Sequence, residues 1–429
     1  MFLTYSHYRN KWRLIVVNQL NLINSNRLYE EALKLIPGAI LGIRRPYNFV
    51  EGEYPIFFET AKGGKVIDVD GNEYLDMLCA YGPIIIGHRE EEIDNAVIDQ
   101  IKNKGFCMSL TQQIQNRLAK KLKDLIPCCE KIVFVKTGSD ATTIGIRVAR
   151  GYTKRLKILR CGYHGWHSWC VEGKGGIPEK LYEDVHEFEY NNLDHVSKLM
   201  QKYGNDVAAI IMTPINHPGA HELEMPESGF LEGVRELADK YDALLIFDEI
   251  RTGFRVNLGG AQKELGVIPD LAAFGKAMAN GYPISFLAGK EEIMDTLIEE
   301  VFLSSTFFPN SFPQVAALKT IEIMERDNVL DGIRKKGEKF AKSVTEIIDE
   351  SGVPCTFSGS PWMPYITFDS DPNHLYRKLR EEFYRQLIRR KVFLQPYHHG
   401  YICYRHTNED LEDAANMIAE SLKECKKLM

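Results

Sequence analysis

The sequence predicts an α/β fold: a large, mostly parallel sheet covered by helices on both faces, joined to a smaller α+β domain made from the two ends of the chain. Strand-like runs in the middle, such as "VAAIIMTP" (207–214) and "ALLIFD" (243–248), are apolar throughout rather than alternating, as strands buried on both faces must be. Segments of helical period separate them, giving the strand–helix alternation of a parallel sheet. The segment after residue 360 changes character, with short strand-like runs set between charged helices.

Residues 25–36 read as a helix stopped by Pro37-Gly38, followed by the strand-like "KVIDVDGNEYLDML" with a turn at Asp70-Gly71. In "KIVFVKTGSDATTIGIRVARGY" (131–152) an apolar run meets a polar turn and then Ile144, Val148 and Ala149 at helical spacing. "FLEGVRELADKYDALLIFDEI" (230–250) is a helix, a short turn and a buried strand, and "DLAAFGK" (270–276) is another such strand. After "SSTFFPNSFPQ" a charged helical stretch runs to about residue 350, with a break expected near Asn328 or Gly332. Then come a strand in "PWMPYITF", a helix in "HLYRKLREEFYRQLIRR", a strand in "GYICYRH" and a closing helix. The expected division is an extension over 1–23, a large domain over 81–315, and a small domain shared by 24–80 and 316–429.

The 429 residues are 44% hydrophobic and 26% charged, with a formal net charge of −6, so no basic footprint for nucleic acid is present. No polybasic segment points to a membrane surface, and the apolar run Leu14–Val17 is too short for a signal or a span. The nine cysteines show no CxxC pair and no Cys/His ligand spacing, which predicts no metal centre and fits a reducing cytoplasm. Small-molecule chemistry is the class that remains.

Three features fall at the carboxyl ends of expected strands, where open α/β sheets hold their ligands. Thr137-Gly138-Ser139 lies between a strand and a helix, where backbone N–H groups, the helix N-terminus and two hydroxyls suit a phosphate; ordinary helix capping would use the same residue types. Asp248 ends the run "ALLIF", with Glu249 next to it, so one carboxylate faces the cleft and one faces away. Lys276 follows the run "LAAF" and Gly275. An anion cradle, an acid and an inward lysine are what pyridoxal 5'-phosphate requires, and Tyr163 in "CGYHGWHSW" offers an aromatic face for its ring. Trp166, His167 and Trp169 in the same stretch read as core or cleft wall.

With these residues in view the sequence resembles the class III, fold-type-I aminotransferases, nearest the glutamate-1-semialdehyde aminomutase branch. The resemblance runs from about Asn24 to the C-terminus and rests on "PGAILGIRRPYNF", "YGPIIIGH", "TGSDA", "YHG", "LLIFDEIRTGFR", "GGAQKELGVIPDLAAFGKAMANGYP" and "STFFPNSF". It implies that Lys276 carries the cofactor as a Schiff base and then moves the proton. It implies that Asp248 pairs with the ring nitrogen, that Ile250 and Tyr163 cover the ring faces, and that Gly138 and Ser139 hold the phosphate. Thr306 resembles a threonine that reaches the neighbouring subunit's phosphate, implying a homodimer with active sites at the interface.

Several positions depart from the aminomutases. Tyr81 stands for a tryptophan, Thr213 for a glutamate, Lys136 for an asparagine, and His398-His399-Gly400 replaces a longer segment that carries an acid. Arg45 is retained as a candidate clamp for a carboxylate or phosphate. Together with Tyr81, His398 and His399 it forms the candidate substrate set. These departures favour transamination, with L-glutamate or another amino acid as donor and a small polar aldehyde or ketone, sugar-like or phosphorylated among the candidates, as acceptor. The alternative is glutamate-1-semialdehyde aminomutase.

Overall fold

The structure, a computed structural model, describes residues 20–217 and 222–429; the expected N-terminal extension falls outside the described residues as far as position 19. The first helix spans Ile23–Leu35 and is followed by strands β1 (Phe58–Lys62), β2 (Lys65–Asp68) and β3 (Glu73–Asp76), paired antiparallel. The β2–β3 turn is fixed by Asp68, whose carboxylate accepts from the Asp70 and Asn72 N–H groups and from the Tyr74 hydroxyl at 2.7 Å.

Seven strands form the main sheet: β4 (Lys131–Val135), β5 (Lys157–Cys161), β6 (Val185–Glu187), β7 (Val207–Met212), β8 (Leu244–Asp248), β9 (Leu271–Phe274) and β10 (Ser285–Gly289). Their order across the sheet is β4-β10-β9-β8-β7-β5-β6, and β10 alone runs against its neighbours β4 and β9. The sheet is apolar on both faces because both are covered. Phe247, Phe274 and Phe286 face one core, while Val135, Ile246, Ala273 and Leu287 pack with the helix Gly138–Thr153 on the other. The carboxyl ends of β4, β5, β8 and β9 therefore open on one edge, each carrying a residue singled out above.

The charged stretch is two helices, Phe312–Arg326 and Val329–Ser351, broken at Asn328, whose φ is +50°. The hairpin β11 (Cys355–Ser358) and β12 (Tyr365–Phe368), the helix Leu375–Arg389, the short strand β13 (Val392–Phe393) and the helix Asn408–Lys426 complete the chain. Strand β13 pairs parallel with β3, joining the C-terminal part to the N-terminal sheet.

One expectation is corrected. "GYICYRH" (400–406) is not a strand, although Tyr401, Ile402 and Cys403 are fully buried. Its N–H groups go to separate stretches of chain: Gly400 to Pro364 O, Tyr401 to Met77 O, Tyr404 to Ile85 O and Arg405 to Ile86 O, at 2.7–2.8 Å. The run is apolar because it threads the interior, and no single neighbour offers it a ladder.

A left-handed turn lies against that thread. Cys79, Ala80 and Tyr81 have φ of +47°, +54° and +68° and lead into Gly82 at +102°. Side chains with a Cβ disfavour this region, at a cost of roughly 1–2 kcal/mol per residue. The turn is held from both ends. Asp76 accepts the Leu78 and Cys79 N–H groups, and the buried Arg255 donates to Gly82 O at 2.9 Å, to Ile84 O and to Ile402 O. Gly82 must be glycine here, since a Cβ would lie 2.8 Å from the Tyr401 ring.

Asn280, just after Lys276, fastens the next stretch: its Oδ1 accepts from the Ile85, Ile86 and Gly87 N–H groups and its Nδ2 donates to Gly87 O at 2.8 Å. Asn280→Ala would leave these buried groups without partners, and is expected to cost about 2–4 kcal/mol. The check is a lowered denaturant midpoint at unchanged slope.

Candidate active site

The β4 edge supplies the anion cradle. Thr137 caps the helix Gly138–Thr153 in a reciprocal box with Asp140, whose carboxylate accepts the Thr137 N–H and hydroxyl at 2.8 and 2.7 Å. The capping reading and the cradle reading thus coexist: the Thr137 hydroxyl serves the cap, while the Gly138 and Ser139 end stays open. The Tyr163 loop presses on it. The Trp166 N–H donates to Ser139 Oγ at 3.3 Å, and a Cβ on Gly165 would fall 2.2 Å from that same oxygen.

Ile250 links the cradle to the lysine. A Cβ on Gly138 would lie 3.0 Å from its side chain, and one on Gly275 would lie 3.3 Å from its Cδ1. Asp248 ends β8 buried, with Oδ2 2.8 Å from His164 Nδ1 and Oδ1 accepting the Ile250 N–H at 3.1 Å. His164 in turn stacks on Trp169. The neighbouring Glu249 does point away, as alternation requires: it accepts the Ala261 and Gln262 N–H groups at 2.8 and 2.9 Å at the start of the helix Ala261–Leu265.

Lys276 leaves β9 in the left-handed region, φ +43°, which turns it out of the strand direction. Burial, with the Arg251 guanidinium nearby, brings its amine down from the ordinary lysine value to about 7, although Asp248 pulls the other way. A cluster of imidazoles faces the same space. His217 and His399 ring centroids are 5.1 Å apart, His398 stacks on His399 at 4.3 Å, and Tyr81 meets His398 edge-on at 5.1 Å. His399 Nε2 lies 2.8 Å from the Tyr401 hydroxyl. Burial, with the Arg251 guanidinium nearby, lowers all three histidines, His398 down to about 3.

Two candidates lie elsewhere on the chain. Thr306 is on an exposed turn beside the exposed Phe302 and Phe307. Arg45 donates to the Tyr47 hydroxyl at 2.8 Å, and it is Arg44 whose guanidinium stands 5.3 Å over the Tyr81 ring. Of the aromatic stretch, Trp169 is buried with its Nε1 on Thr143, whereas Trp166 is 70% exposed and is neither core nor cleft wall in this chain. The Lys136 amine is buried with no partner among the described residues, and burial lowers it to about 8.

Arg251, His164 and His217 were not singled out from the sequence. Arg251 and His164 sit inside quoted motifs, so proximity to Asp248 and Tyr163 was the available signal; His217 has none. The fold also gathers Cys79, Cys403 and His406, their ligand atoms within 4.8 Å of one another and all three buried. The Cys403 N–H donates to His406 Nδ1, and the Cys79 thiol donates to Asp76 O.

The set fits pyridoxal 5'-phosphate: a helix N-terminus for the phosphate, an imidazole-supported acid, an apolar residue, an aromatic ring, and an amine that loses its proton far more readily than an ordinary lysine. The family profile of the class-III aminotransferases matches residues 47–402. The chain belongs to that family. It is 65% identical over 414 residues to a 3-aminobutyryl-CoA aminotransferase of Cloacimonas acidaminovorans, covering 96% of this chain and all of that one. Glutamate-1-semialdehyde 2,1-aminomutase of Archaeoglobus fulgidus is 32% identical, over 94% of this chain and all of that one. Among solved structures, the FumI protein of Sphingopyxis sp. MTA144, in its PLP internal aldimine form, superposes with a TM-score of 0.90 at 28% identity, over 94% of this chain and 96% of that one. The class-III aminotransferase reading and the pyridoxal phosphate cofactor are thereby shown. Among the described residues no helix is long and apolar enough to cross a membrane.

Lowering the Lys276 value means that the folded apoprotein binds fewer protons than the unfolded chain between about pH 7 and 10.5. Its stability contribution from this group therefore rises with pH across that window. Chemical denaturation of cofactor-free protein at pH 7.5 and 9.5 is expected to show this rise, and the variant Lys276→Met is expected to lack it.

Proposed function

We propose that this class-III aminotransferase removes the amino group from a 3-aminoacyl thioester, with 3-aminobutyryl-CoA as the leading substrate, and passes it to a keto acid such as 2-oxoglutarate. The single observation that carries the reading is the 65% identity, over 96% of this chain and all of that one, to a protein named for that substrate. The uncharged wall of Tyr81, His398, His399 and His217 supports it, because a thioester brings no charge near its reacting carbon. A sugar-like or phosphorylated acceptor gives way to the substrate for which that relative is named, and Arg45, the candidate phosphate clamp, is turned to Tyr47.

Pyridoxal phosphate supplies an electron sink for the carbon that loses its proton. The residues do the rest. Gly138, Ser139 and the helix N-terminus hold the phosphate, while Ile250 and Tyr163 confine the ring. Asp248, oriented by His164, would keep the ring nitrogen protonated. Lys276 Nζ would hold the cofactor between turnovers and, freed by substrate, would be the base that takes the proton from the amine-bearing C3 and the acid that gives it back. Thr306, with Phe302 and Phe307 exposed around it, is read as part of a homodimer contact that completes the partner's phosphate site. We read a large domain over 81–315, which carries all the candidate cofactor residues, and a small domain over 24–80 and 316–429, which carries His398 and His399. Nine unpaired cysteines suit the reducing cytoplasm.

The test mixes purified holoenzyme with 3-aminobutyryl-CoA and 2-oxoglutarate or pyruvate. The expected products are the 3-oxoacyl thioester and glutamate or alanine in equal amounts. Isomerisation of glutamate-1-semialdehyde without keto-acid consumption would establish the aminomutase reading instead. Lys276→Ala is expected to lower turnover roughly 10²–10⁴-fold or more, the value of a positioned proton carrier.

A further inference from the structure

An aminotransferase of this kind must serve two substrates in one cavity. One is a thioester that is uncharged near its reacting carbon; the other is a keto acid whose carboxylate adjoins it. The second needs a cation close to Lys276 that the first does not need. The cavity's own groups narrow the choice. His217, His398 and His399 are neutral, for the reasons given above. Arg255 is buried, with its donors on the Gly82, Ile84 and Ile402 carbonyls and its guanidinium 4.7 Å over the Tyr401 ring. Arg44 is exposed, its guanidinium over the Tyr81 ring, and Arg45 is bonded to Tyr47.

Arg251 differs from all of these. It is half-buried, three residues beyond Asp248, and its guanidinium stands 5.8 Å from the Tyr163 ring centroid. It is close enough to act electrostatically on Lys276 and on each of the three histidines. Among the described residues it makes one hydrogen bond, Nη1 to His217 O at 3.1 Å, so most of its five donors remain for a ligand. That single bond to the chain also aims the planar fork without consuming it, which is the arrangement a bidentate carboxylate contact requires.

We propose that Arg251 is the residue that binds the carboxylate of the keto-acid co-substrate, and that the neighbouring His398–His399 wall, with Tyr81, is the side that admits the thioester. The inference rests on the two-substrate reading above. The carboxylate of the amino product formed from the keto acid leaves by the same contact. The thioester, lacking a charge at that place, passes Arg251 without engaging it.

The two half-reactions separate this inference from the thioester reading. Holoenzyme and the variants Arg251→Met and Arg251→Lys are compared for folding by circular dichroism and for cofactor content. The keto-acid half is then followed by the visible spectrum of aminated enzyme with 2-oxoglutarate and with pyruvate. The amine half is followed with 3-aminobutyryl-CoA and, as a carboxylate-free control, 2-aminobutane. Arg251→Met is expected to raise the keto-acid concentration for half-maximal rate roughly 30- to 100-fold, as loss of a charge-assisted pair does, with the limiting rate changed little. Arg251→Lys is expected to recover part of that loss; any effect of Arg251 on the Lys276 amine is shared by both halves, so the keto-acid half is expected to lose at least about tenfold more than the amine half, where no carboxylate contact is lost. An equal loss in both halves, or an unchanged keto-acid dependence, would overturn the assignment. If 3-aminobutyryl-CoA is not accepted while the keto-acid half still weakens, the substrate reading fails and the role of Arg251 stands.

Discussion

Everything in the site turns on an amine that has to be inside the protein and uncharged. Among the described residues Lys276 has no acid in hydrogen-bonding contact, because the nearest one, Asp248, is already engaged by His164 and the Ile250 N–H. Burial and a neighbouring arginine do what a counter-ion would undo: they make the proton easy to lose. Had Asp248 reached Lys276 directly, the pair would be a salt bridge, stable and chemically idle. The imidazole that occupies Asp248 therefore protects the lysine's reactivity as well as orienting the acid.

The same logic accounts for how the walls are built. The parallel strands bring the candidate cofactor residues to one edge, but the candidate substrate residues come from chain that is remote in sequence. Tyr81 is presented by a left-handed turn and His398-His399 by a segment threaded through the interior. Arg255 and Asn280 bind these pieces to the main sheet through carbonyl and N–H groups rather than through side-chain packing alone. Directional bonds of this kind fix positions that apolar contact would leave adjustable.

How much of this could be read in advance depended on range. Lys276, Asp248 and the Thr137–Ser139 turn were legible because each follows its own apolar strand, and a strand's end is a local fact. The family resemblance then ordered them around a cofactor. Arg251 was overlooked because a basic residue in a loop reads as solvated until the fold shows what it faces. The His217–His399 contact joins residues that no period connects. The "GYICYRH" run was mistaken for a strand because complete burial gives the same apolar pattern whether or not a ladder is formed. The Cys79–Cys403–His406 grouping was invisible for the same reason, being assembled from two distant stretches.

The threaded segment has a consequence for biosynthesis. Translation delivers Lys276, Asp248 and the phosphate turn long before it delivers residues 398–405. Until those emerge, the carbonyls of Met77, Ile85 and Ile86 lack the N–H groups that finally cap them. A nascent chain at that stage holds the chemical groups of the enzyme without the wall that selects what they act on. Because burial is what brings the Lys276 amine down, that amine stays an ordinary protonated lysine until the chain has closed over it.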